Sequence, residues 1–444
     1  MAEHEINCSI GKLHLWWCMV FILLTSSSFS QPNDTLTLKQ IVQKVRENSH
    51  TLRRLESQID AAGARIDQAK TAYRPQLNAD ISYANIGPKD NLELTFGTQS
   101  LQLAPSNSFD AHLSAGIMVY DFGKRAAAVN VATVTENSLT NQKTGLENKL
   151  LFHAVSLAVN ITMLQQGIGI QKANIASLER HLANVGKLVA TGTATDYDIL
   201  KTKAQLASAQ AGLLDIENNK AKLRIFLAQI MGVALDSFPA VTIPFDTTAY
   251  RVNADSLVTV GLEQRIEIIT ATDAVTTLNA RRAMAEKERM PELRAALAAG
   301  VKNGYAGDVN AARPNWSAAA QLHVPIYDGA RTRYRLNECN AELKAANETL
   351  AESGDNVRTE ILQAHADVET AYAKLASSAL QVLVNDASLK LAQKKYEAGT
   401  LTNSELLDAE RDYAQAELVN LQNQARYTLS IFTLAETVGN ATIE

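Results

Sequence analysis

The sequence contains little cysteine, proline or aromatic residue. Three of its 444 residues are cysteine, nine are proline and 6% are aromatic. Cys8 and Cys18 fall within the first thirty residues, which leaves Cys339 as the one cysteine of the remaining sequence. A disulfide framework or a cysteine metal site within one chain is therefore excluded. We interpret Cys339, which lies in a helical pattern, as a small packed side chain and not as a redox centre.

The sequence also lacks any large region of one charge sign, because acidic and basic residues are mixed throughout and the net charge is -5. Nucleic-acid binding requires a basic stripe, so this class of partner is excluded. The sequence shows no nucleophile motif, no glycine-rich phosphate loop and no regularly spaced set of metal ligands. An enzyme is therefore the least supported class, and we predict no catalytic residue, no cofactor and no metal. The hydrophobic share of 46% is sufficient for a large core.

Long apolar runs are absent after residue 30, where no stretch approaches the roughly 18 residues of a membrane-spanning helix. The first thirty residues contain Lys12, a mostly apolar run over 13–24 and a small polar segment over 25–30. This order predicts a secretory signal peptide at 1–30. A membrane anchor is the alternative, but the apolar run is too short to span a bilayer. If the remaining chain enters a membrane, it must do so as a β-barrel.

What the sequence does contain is an internal repeat. Three short segments recur at a displacement of 207 residues: Tyr120-Asp121 as Tyr327-Asp328, Gly192-Thr193-Ala194-Thr195 as Gly399-Thr400-Leu401-Thr402, and Met231-Gly232 as Val438-Gly439. Upstream the displacement becomes 216, because the segment around Pro75 resembles the segment around Pro291. Loops of unequal length explain the difference. We therefore predict two copies of one structural unit, at 31–240 and 241–444.

Each copy begins with two short segments in which apolar and polar residues alternate. The apolar positions are Leu77, Ala79, Ile81 and Tyr83, then Ala111, Leu113, Ala115, Ile117 and Val119 in the first copy, and Leu293, Ala295, Leu297, Ala299 and Val301, then Trp316, Ala318, Ala320, Leu322 and Val324 in the second. A period of two predicts β-strands. Four strands of about nine residues have the length that a tilted membrane strand needs. A soluble sheet with one wet face alternates in the same way, so both interpretations stay open.

The pattern then changes to that of a long helix. Apolar residues follow a heptad with one gap at Gln171: Leu157, Ile161, Leu164, Ile168, Ile175, Leu178, Leu182 and Val185 in the first copy, and Val368, Leu375, Val382, Leu389 and Tyr396 in the second. This spacing predicts coiled-coil-like packing. The stretch 123–190 has no proline and would extend roughly 100 Å as one helix.

The chain then reverses at Thr191-Gly192 and is predicted to return as a helix over 195–229. After an interruption by prolines, a second helical stretch over 255–289 leads to the next strands. We interpret these two helices as the two halves of one return path. The second copy ends near Thr437, after its first return half, and the N-terminal helix over 36–72 is predicted to supply the missing half.

The number of strands has a consequence for assembly. Four membrane strands cannot close a barrel, because about eight is the practical minimum and open sheet edges are not tolerated in lipid. Two copies of the chain would give about eight strands and an interior filled by side chains, whereas three would give about twelve and room for a conduit. The sequence therefore favours a trimer.

Certain motifs stand at the junctions of this twofold arrangement: Pro75 and Pro291 before the strands, Pro325-Ile326-Tyr327-Asp328-Gly329 before a long helix, and Gly-Thr-x-Thr at both helix turns. In these residues and in the order of its elements, over about 36–439, the sequence resembles the TolC family of outer-membrane efflux proteins. The resemblance implies a mainly α fold with a membrane β-barrel portion. In such a homotrimer a shared twelve-stranded β-barrel stands on a long α-helical barrel in the periplasm.

The resemblance also implies a function and partners. The expected function is that of a passive exit duct in the outer membrane, which conducts substrates of an efflux pump or a type I secretion system to the exterior. The expected partners are outer-membrane lipid, a periplasmic adaptor and an inner-membrane efflux pump or exporter. No nucleic acid is expected.

Site residues are implied at the helix turns, which in this family form the periplasmic mouth. The positions that match the acidic residues around the closed aperture are Asp198, Glu405 and Asp408, with Lys201 in place of a carboxylate in the first copy. Three copies would collect about nine carboxylates at a narrow neck, and such rings favour cations. Alternatively, these carboxylates stabilise the first turn of each helix through its dipole. The two roles are compatible.

The turns themselves are expected to contact the adaptor: Thr191, Gly192, Thr193, Ala398, Gly399 and Thr400. The alternative is that each glycine only permits a tight reversal. His112 and His323 fall on the polar side of the strands, where we expect solvated side chains that face the lumen and bind no metal. The competing function is a soluble periplasmic coiled-coil adaptor or scaffold, which long alanine-rich helices alone would fit. The four alternating strands argue against it.

Overall fold

The computed structural model describes residues 36–88, 93–97, 99–234 and 239–439. The predicted signal peptide at 1–30 lies outside these ranges. In them, no helix has both the length and the apolar character needed to cross a membrane. The described chain is mainly helical, and a four-stranded antiparallel sheet lies at one end of two long helical hairpins.

The described residues form eight α-helices: α1 (Leu38–Asn48), α2 (His50–Lys70), α3 (Lys124–Ala190), α4 (Asp196–Met231), α5 (Ala254–Gln264), α6 (Ile266–Glu286), α7 (Arg331–Glu397) and α8 (Asn403–Val438). The helices α3 and α7 are both 67 residues long, and α4 and α8 are both 36 residues long. The bounds of α7 and α8 are displaced from those of α3 and α4 by 207 residues, and those of α5 and α6 from α1 and α2 by 216. Both predicted displacements are therefore confirmed.

The two helical stretches that precede the strands differ from the prediction. The sequence predicts one helix over 36–72 and one over 255–289, but each is broken at a single residue with extended backbone, at Ser49 and at Arg265. Arg265 is buried, and its guanidinium donates to two carboxylates and one backbone carbonyl. Helical periodicity continues on both sides of each break, so the pattern alone does not reveal it.

The described strands are β1 (Gln76–Asn85), β2 (Glu93–Phe96), β3 (Gln99–Gln102), β4 (Asn107–Tyr120), β5 (Glu292–Lys302) and β6 (Arg313–His323). One antiparallel sheet has the order β1-β4-β5-β6, so its central pair joins the two copies. The strands β2 and β3 form a separate hairpin between β1 and β4. The first copy thus contains more than the predicted strand pair, and this longer connection accounts for the change of displacement.

The register of the sheet places the predicted apolar residues on one face, except Val119, where the register shifts so that Tyr120 pairs with Leu293, and Val324, which lies beyond the end of β6. Leu77 pairs with Ala115, Ala115 with Leu297, and Leu297 with Ala318. Large side chains of this face are open to solvent, and Leu77 and Trp316 are both 79% exposed. The alternation seen in the sequence is therefore confirmed. No other described element of the chain covers this apolar face.

The helices are neighbours in a defined order. Near the turns the order is α4, α3, α8, α7, and nearer the sheet it is α2, α3, α6, α7. One edge of the chain is therefore formed by α2 and α4, and the other by α7. The strands β1 and β6, which follow α2 and precede α7, are the corresponding edges of the sheet.

The two return halves are exchanged relative to the prediction. Gly232, at the end of α4, lies against the backbone of Asn48 at the end of α1. Gly439, at the end of α8, lies against the backbone of Gln264 and Arg265, where α5 meets α6. The N-terminal helices therefore continue α4, and α5 and α6 continue α8. Chain order suggested the opposite arrangement, but contacts between α5 and both helices of the second hairpin decide it.

The core lies where the short helices meet the long ones. One cluster of buried side chains is contributed mainly by α1, α3 and α4 and includes Ile41, Val45, Leu151, Val155, Val159, Leu227 and Met231. A second, on α7 and α8, includes Val357, Ile361, Val368, Leu375, Tyr427 and Leu434. The heptad gap at Gln171 is buried, and its Nε2 donates to the carbonyl oxygen of Ala209 at 2.7 Å. The heptad residues Leu178 and Val185 on the same helix are buried as well, and the buried amide of Gln171 has its hydrogen-bond partner on α4.

Candidate functional site at the helix turns

The two turns that close the long hairpins contain Gly192 and Gly399. Their φ angles are 76° and 72°, in the left-handed region that glycine adopts at little cost. In each turn the N–H after the glycine donates to the carbonyl oxygen five residues earlier at 2.9 Å. The predicted contact residues, 191–193 and 398–400, are all exposed. The turn geometry thus requires both glycines, and contact with an adaptor stays a prediction.

A threonine caps the helix that follows each turn. Asp198 Oδ2 accepts hydrogen bonds from the N–H and the hydroxyl of Thr195 at 3.0 and 2.8 Å. Glu405 Oε2 accepts from the same groups of Thr402 at 2.9 and 2.7 Å. Both pairs are complete capping boxes. The hydrogen bonds from the threonine backbone and then from its side chain hold the pKa of Asp198 and of Glu405 below the ordinary values.

The capping boxes bear on the predicted aperture. Asp198 and Glu405 have the contacts of the alternative role, in which a carboxylate stabilises the first helical turn. The same contacts keep both groups ionised at neutral pH, which an acidic ring requires. The aperture role therefore stays a prediction that is compatible with the caps.

Asp408, the third predicted carboxylate, lies one turn further along α8. Its Oδ1 is 2.9 Å from Arg411 Nη1, and both side chains are more than half exposed. Ion pairs this exposed contribute little to stability. At the equivalent position of α4, Lys201 donates a hydrogen bond to Ser404 and so connects the two hairpins. The beginnings of α4 and α8 are therefore in contact within one chain.

A buried polar residue that the sequence analysis missed lies behind the two caps. Asn403, the first residue of α8, is buried, and its Oδ1 is 2.7 Å from Nε2 of His181 on α3. Its Nδ2 donates to the carbonyl oxygen of Asp198 at 3.3 Å and to Oγ1 of Thr202 at 3.4 Å. Because Nδ2 is the donor of both bonds, Oδ1 is an acceptor and His181 Nε2 donates to it. One side chain thus joins α8 to both helices of the first hairpin.

Two turns further along α8, Glu410 is a second buried polar residue between the hairpins. Its Oε1 accepts a hydrogen bond from Ser177 at 3.3 Å, and its Oε2 has no hydrogen-bond partner among the described residues. Burial raises the pKa of Glu410, and the nearby His181 and Arg180 oppose this rise. A cavity of about 590 Å³ between α3, α7 and α8 lies beside it. Because burial between the two hairpins raises this pKa, looser packing of the hairpins would favour the ionised carboxylate.

Sequence signals for this cluster are weak. Asparagine is common at helix starts, so Asn403 does not stand out from an exposed capping residue. The available signal was His181, which lies between Leu178 and Val185 on the heptad face and is buried with them. Only the packing of the second hairpin identifies its partner.

The predicted strand histidines lie on the polar face of the sheet. His112 is paired with Asp80 on the neighbouring strand, and its Nδ1 is 2.5 Å from Oδ1 of Asp110. His323 is paired with Glu292. Their position on this face agrees with the alternation in the sequence, and an orientation toward a lumen stays a prediction.

The described part of the chain contains no cluster of side chains that could form a metal site. No group of three or more histidine, cysteine, aspartate or glutamate side chains there is arranged to hold a metal ion. Cys339 is buried in α7 as a free thiol. Its burial agrees with the interpretation as a packing residue.

Comparison with known proteins extends over both copies. The model of the family described as outer membrane efflux protein matches residues 41–233 and 257–440. The first match runs from α1 to the end of α4, and the second from α5 to the end of α8. The family model therefore recognises the same repeat that the helices and strands show.

Individual relatives are similar over nearly the whole chain. The chain is 24% identical over 431 residues to the pyoverdine export outer membrane protein OpmQ of Pseudomonas putida, which covers 94% of this chain and 84% of that protein. It is 20% identical over 438 residues to the outer membrane protein TolC of Escherichia coli, and this similarity covers 94% of this chain and 86% of that protein. The solved structure of the Campylobacter jejuni CmeC outer membrane channel has the same fold, with a TM-score of 0.79 and 15% identity over 99% of this chain and 90% of that one.

Proposed function

The chain belongs to the outer membrane efflux protein family, and from this membership we propose that three copies of it form a passive duct that leads from the periplasm to the exterior. It is an outer-membrane efflux channel with a periplasmic helical part, and the channels of this family are not enzymes. Members of the family act as trimers together with other components of efflux pumps. The main structural support for the proposal is that, in the part of the chain that the structure describes, the four-stranded sheet has two unpaired edge strands.

The sheet has two free edges among the described residues, because β1 and β6 each pair on one side only. Their 10 and 11 residues therefore present a row of unpaired N–H and C=O groups. Unpaired backbone is too costly to persist in hydrocarbon. If β6 of each copy pairs with β1 of the next, three copies close a barrel of about twelve strands, which is wide enough for a conduit.

The two faces of the sheet support a barrel that is surrounded by lipid. Leu77, Leu297 and Trp316 belong to one exposed apolar face, which acyl chains would cover. The opposite face carries polar side chains that include His112 and His323, and it would line the lumen. We therefore propose outer-membrane lipid as the partner of the apolar face.

The helices supply matching edges below the sheet. Near the turns, α4 and α7 lie at opposite edges of the chain. Both carry large exposed apolar side chains: Tyr197, Leu200 and Leu214 on α4, and Leu380, Leu383 and Leu391 on α7. We propose that α4 of one copy packs against α7 of the next, so that the helices close a barrel with the same threefold symmetry as the strands.

The proposed mouth lies at the turns, at the far end from the sheet. There Asp198, Glu405 and Asp408 of three copies would surround the aperture and favour cations. The exposed turn residues 191–193 and 398–400 would contact a periplasmic adaptor. This adaptor would connect the duct to an inner-membrane efflux pump or a type I exporter.

The experiment that tests the duct is a measurement of assembly and conduction with the full-length protein. We expect the protein in the outer-membrane fraction, as a trimer that dissociates only on heating in detergent. In planar lipid bilayers the trimer is expected to form conducting pores. A water-soluble monomer in the periplasm would overturn the proposal and would favour a coiled-coil adaptor or scaffold.

A further inference from the structure

We infer that Lys124 and Arg294, held on either side of Glu292, form a binding site for solutes that carry several negative charges, at the junction of the sheet and the long helices. The inference rests on the proposed function, because the polar face of the sheet must line the lumen for such solutes to reach the site. It identifies a chemical class of solute that the duct would retain during passage.

The arrangement begins with a buried carboxylate at the start of β5. The side chain of Glu292 is 10% exposed and lies on the polar face of the sheet. Lys124 Nζ donates to its Oε1 at 2.6 Å, and Arg294 Nη2 donates to its Oε2 at 2.7 Å. One carboxylate thus holds two cations in place and balances the charge of only one. The lysine and arginine side chains are 39% and 59% exposed, so both cations also reach solvent.

A cavity lies directly against this group. Its volume is about 640 Å³, and all four strands of the sheet contribute to its lining. Four basic and two acidic residues line it: Arg74, Lys124, Arg125, Arg294, Asp121 and Glu292. The cavity therefore has an excess of two positive charges, although the whole chain has a net charge of -5. Amide groups of Gln76, Asn78 and Gln321 add hydrogen-bond donors to the same lining.

Threefold repetition strengthens this local excess. Three copies would place about six excess positive charges at one level of the lumen. At physiological salt, screening over about 8 Å weakens the attraction of a singly charged anion. An anion with several charges can contact two or three of the cations at once, and the planar guanidinium of Arg294 matches phosphate and carboxylate oxygens. The geometry therefore selects for multivalent anions.

The site is independent of the acidic aperture. The whole length of α3, 67 residues, separates Lys124 from the turn before Asp198. An unbroken helix of this length spans roughly 100 Å, far beyond the range of screened electrostatics. A solute would thus meet acidic residues at one end of the duct and basic residues near the other.

The test uses the full-length trimer in planar bilayers, with inorganic tripolyphosphate added from the barrel side at low salt. We expect a concentration-dependent block of the current that weakens at high salt. Arg294→Gln should raise the half-blocking concentration at least roughly threefold, and Glu292→Gln, which leaves both cations without their carboxylate, should lower it by about the same factor. Shifts in opposite directions cannot result from general damage to the barrel. The matched control is Lys302→Gln, at the other end of β5 on the same face, which should leave the block unchanged.

The outcomes separate the site from the duct. If pores conduct but all variants are blocked at the same concentration as the wild type, the anion site is wrong and the duct stands. If Lys302→Gln weakens the block as strongly as Arg294→Gln, the anion responds to diffuse luminal charge and the site is also wrong. If the protein forms no pores at all, the duct is overturned and the site with it.

Discussion

The side-chain oxygen of Asn403 lies 2.7 Å from Nε2 of His181, across the boundary between the two long hairpins of one chain. The amide nitrogen of the same side chain donates to α4, so Asn403 contacts both helices of the first hairpin. Because the group is buried, breaking these bonds leaves polar atoms without water as a replacement partner. The two hairpins are therefore joined near their turns by a polar contact that is costly to break.

We expect Asn403→Leu to destabilise the packed hairpins. The substitution leaves the buried Nε2 of His181 without its partner and removes both hydrogen bonds from Asn403 to α4, which costs about 1–3 kcal/mol. The Thr202 hydroxyl still donates to the carbonyl oxygen of Asp198 at 2.8 Å. The measurement is the free energy of unfolding from helical circular dichroism in denaturant. Asn184→Leu, an equivalent change at an exposed position of α3, is the control and should shift the value by less than about 0.5 kcal/mol. Equal losses in the two variants would show that the buried amide is not the cause.

We expect the stability of the helical part to depend on pH through Glu410. Burial raises its pKa above the ordinary value of 4.5, so the packed state binds this proton more tightly than the unfolded state. The stabilising contribution is therefore fully present below the ordinary pKa and is lost as pH rises through the raised one. Glu410→Gln keeps the neutral shape and should be more stable than the wild type at about pH 8, with little difference at about pH 4. The measurement is the unfolding midpoint across this range, and parallel pH curves for the two proteins would contradict the prediction.

We expect the double variant Glu405→Gln, Asp408→Asn to raise single-channel conductance in planar bilayers and to lower the preference for cations. A neck that has lost two carboxylates per copy no longer excludes anions as strongly. Glutamine retains a side-chain oxygen that can accept the hydrogen bonds of Thr402, so the helix cap is kept. The control is Asp196→Asn, an exposed carboxylate next to the other turn that lies outside the predicted ring. Unchanged conductance in the double variant would refute the aperture role.

We expect Gly300→Ala to prevent the two copies of the repeat from pairing in the sheet. A Cβ at this position would clash with the carbonyl oxygen of Ala111 and would lie 2.7 Å from Cα of His112. Both are backbone atoms of β4, so relief requires the β4–β5 pairing to shift. The expected result is the loss of the heat-dissociable trimer on gels of outer-membrane fractions. Gly116→Ala is the control in the same sheet, because its added Cβ would have no neighbour within 4 Å, and its trimer should persist.

Much of the fold could be predicted from local patterns. The alternation from Leu77 to Tyr83 specifies a strand with one apolar face. A shift of the strand register by one residue would move the apolar side chains to the polar face of the sheet. The length of α3 follows from the proline-free stretch 123–190, and the displacement of 207 residues gives α7 the same length. These features are patterns along the chain, so a single sequence contains them.

The candidate site was predicted only in part. The family resemblance implied Asp198 and Glu405 as aperture residues, and the capping role that they have in the structure was the alternative interpretation. The positions of Asn403 and Glu410 give no comparable signal, because a polar residue on a long helix is exposed in most cases. Their burial depends on a helix that is more than 200 residues away in the chain.

The sequence by itself determined the repeat, the strand and helix types and the family, because periodicity and spacing are properties of the chain order. The tertiary structure alone decided that α1 and α2 continue α4, that α5 and α6 continue α8, and that Lys124 meets Glu292. These relationships join segments between about 160 and 190 residues apart, and the free energy of packing, not local preference, selects among the possible partners. For this protein the type of each element is therefore local information, whereas the identity of its neighbours is not.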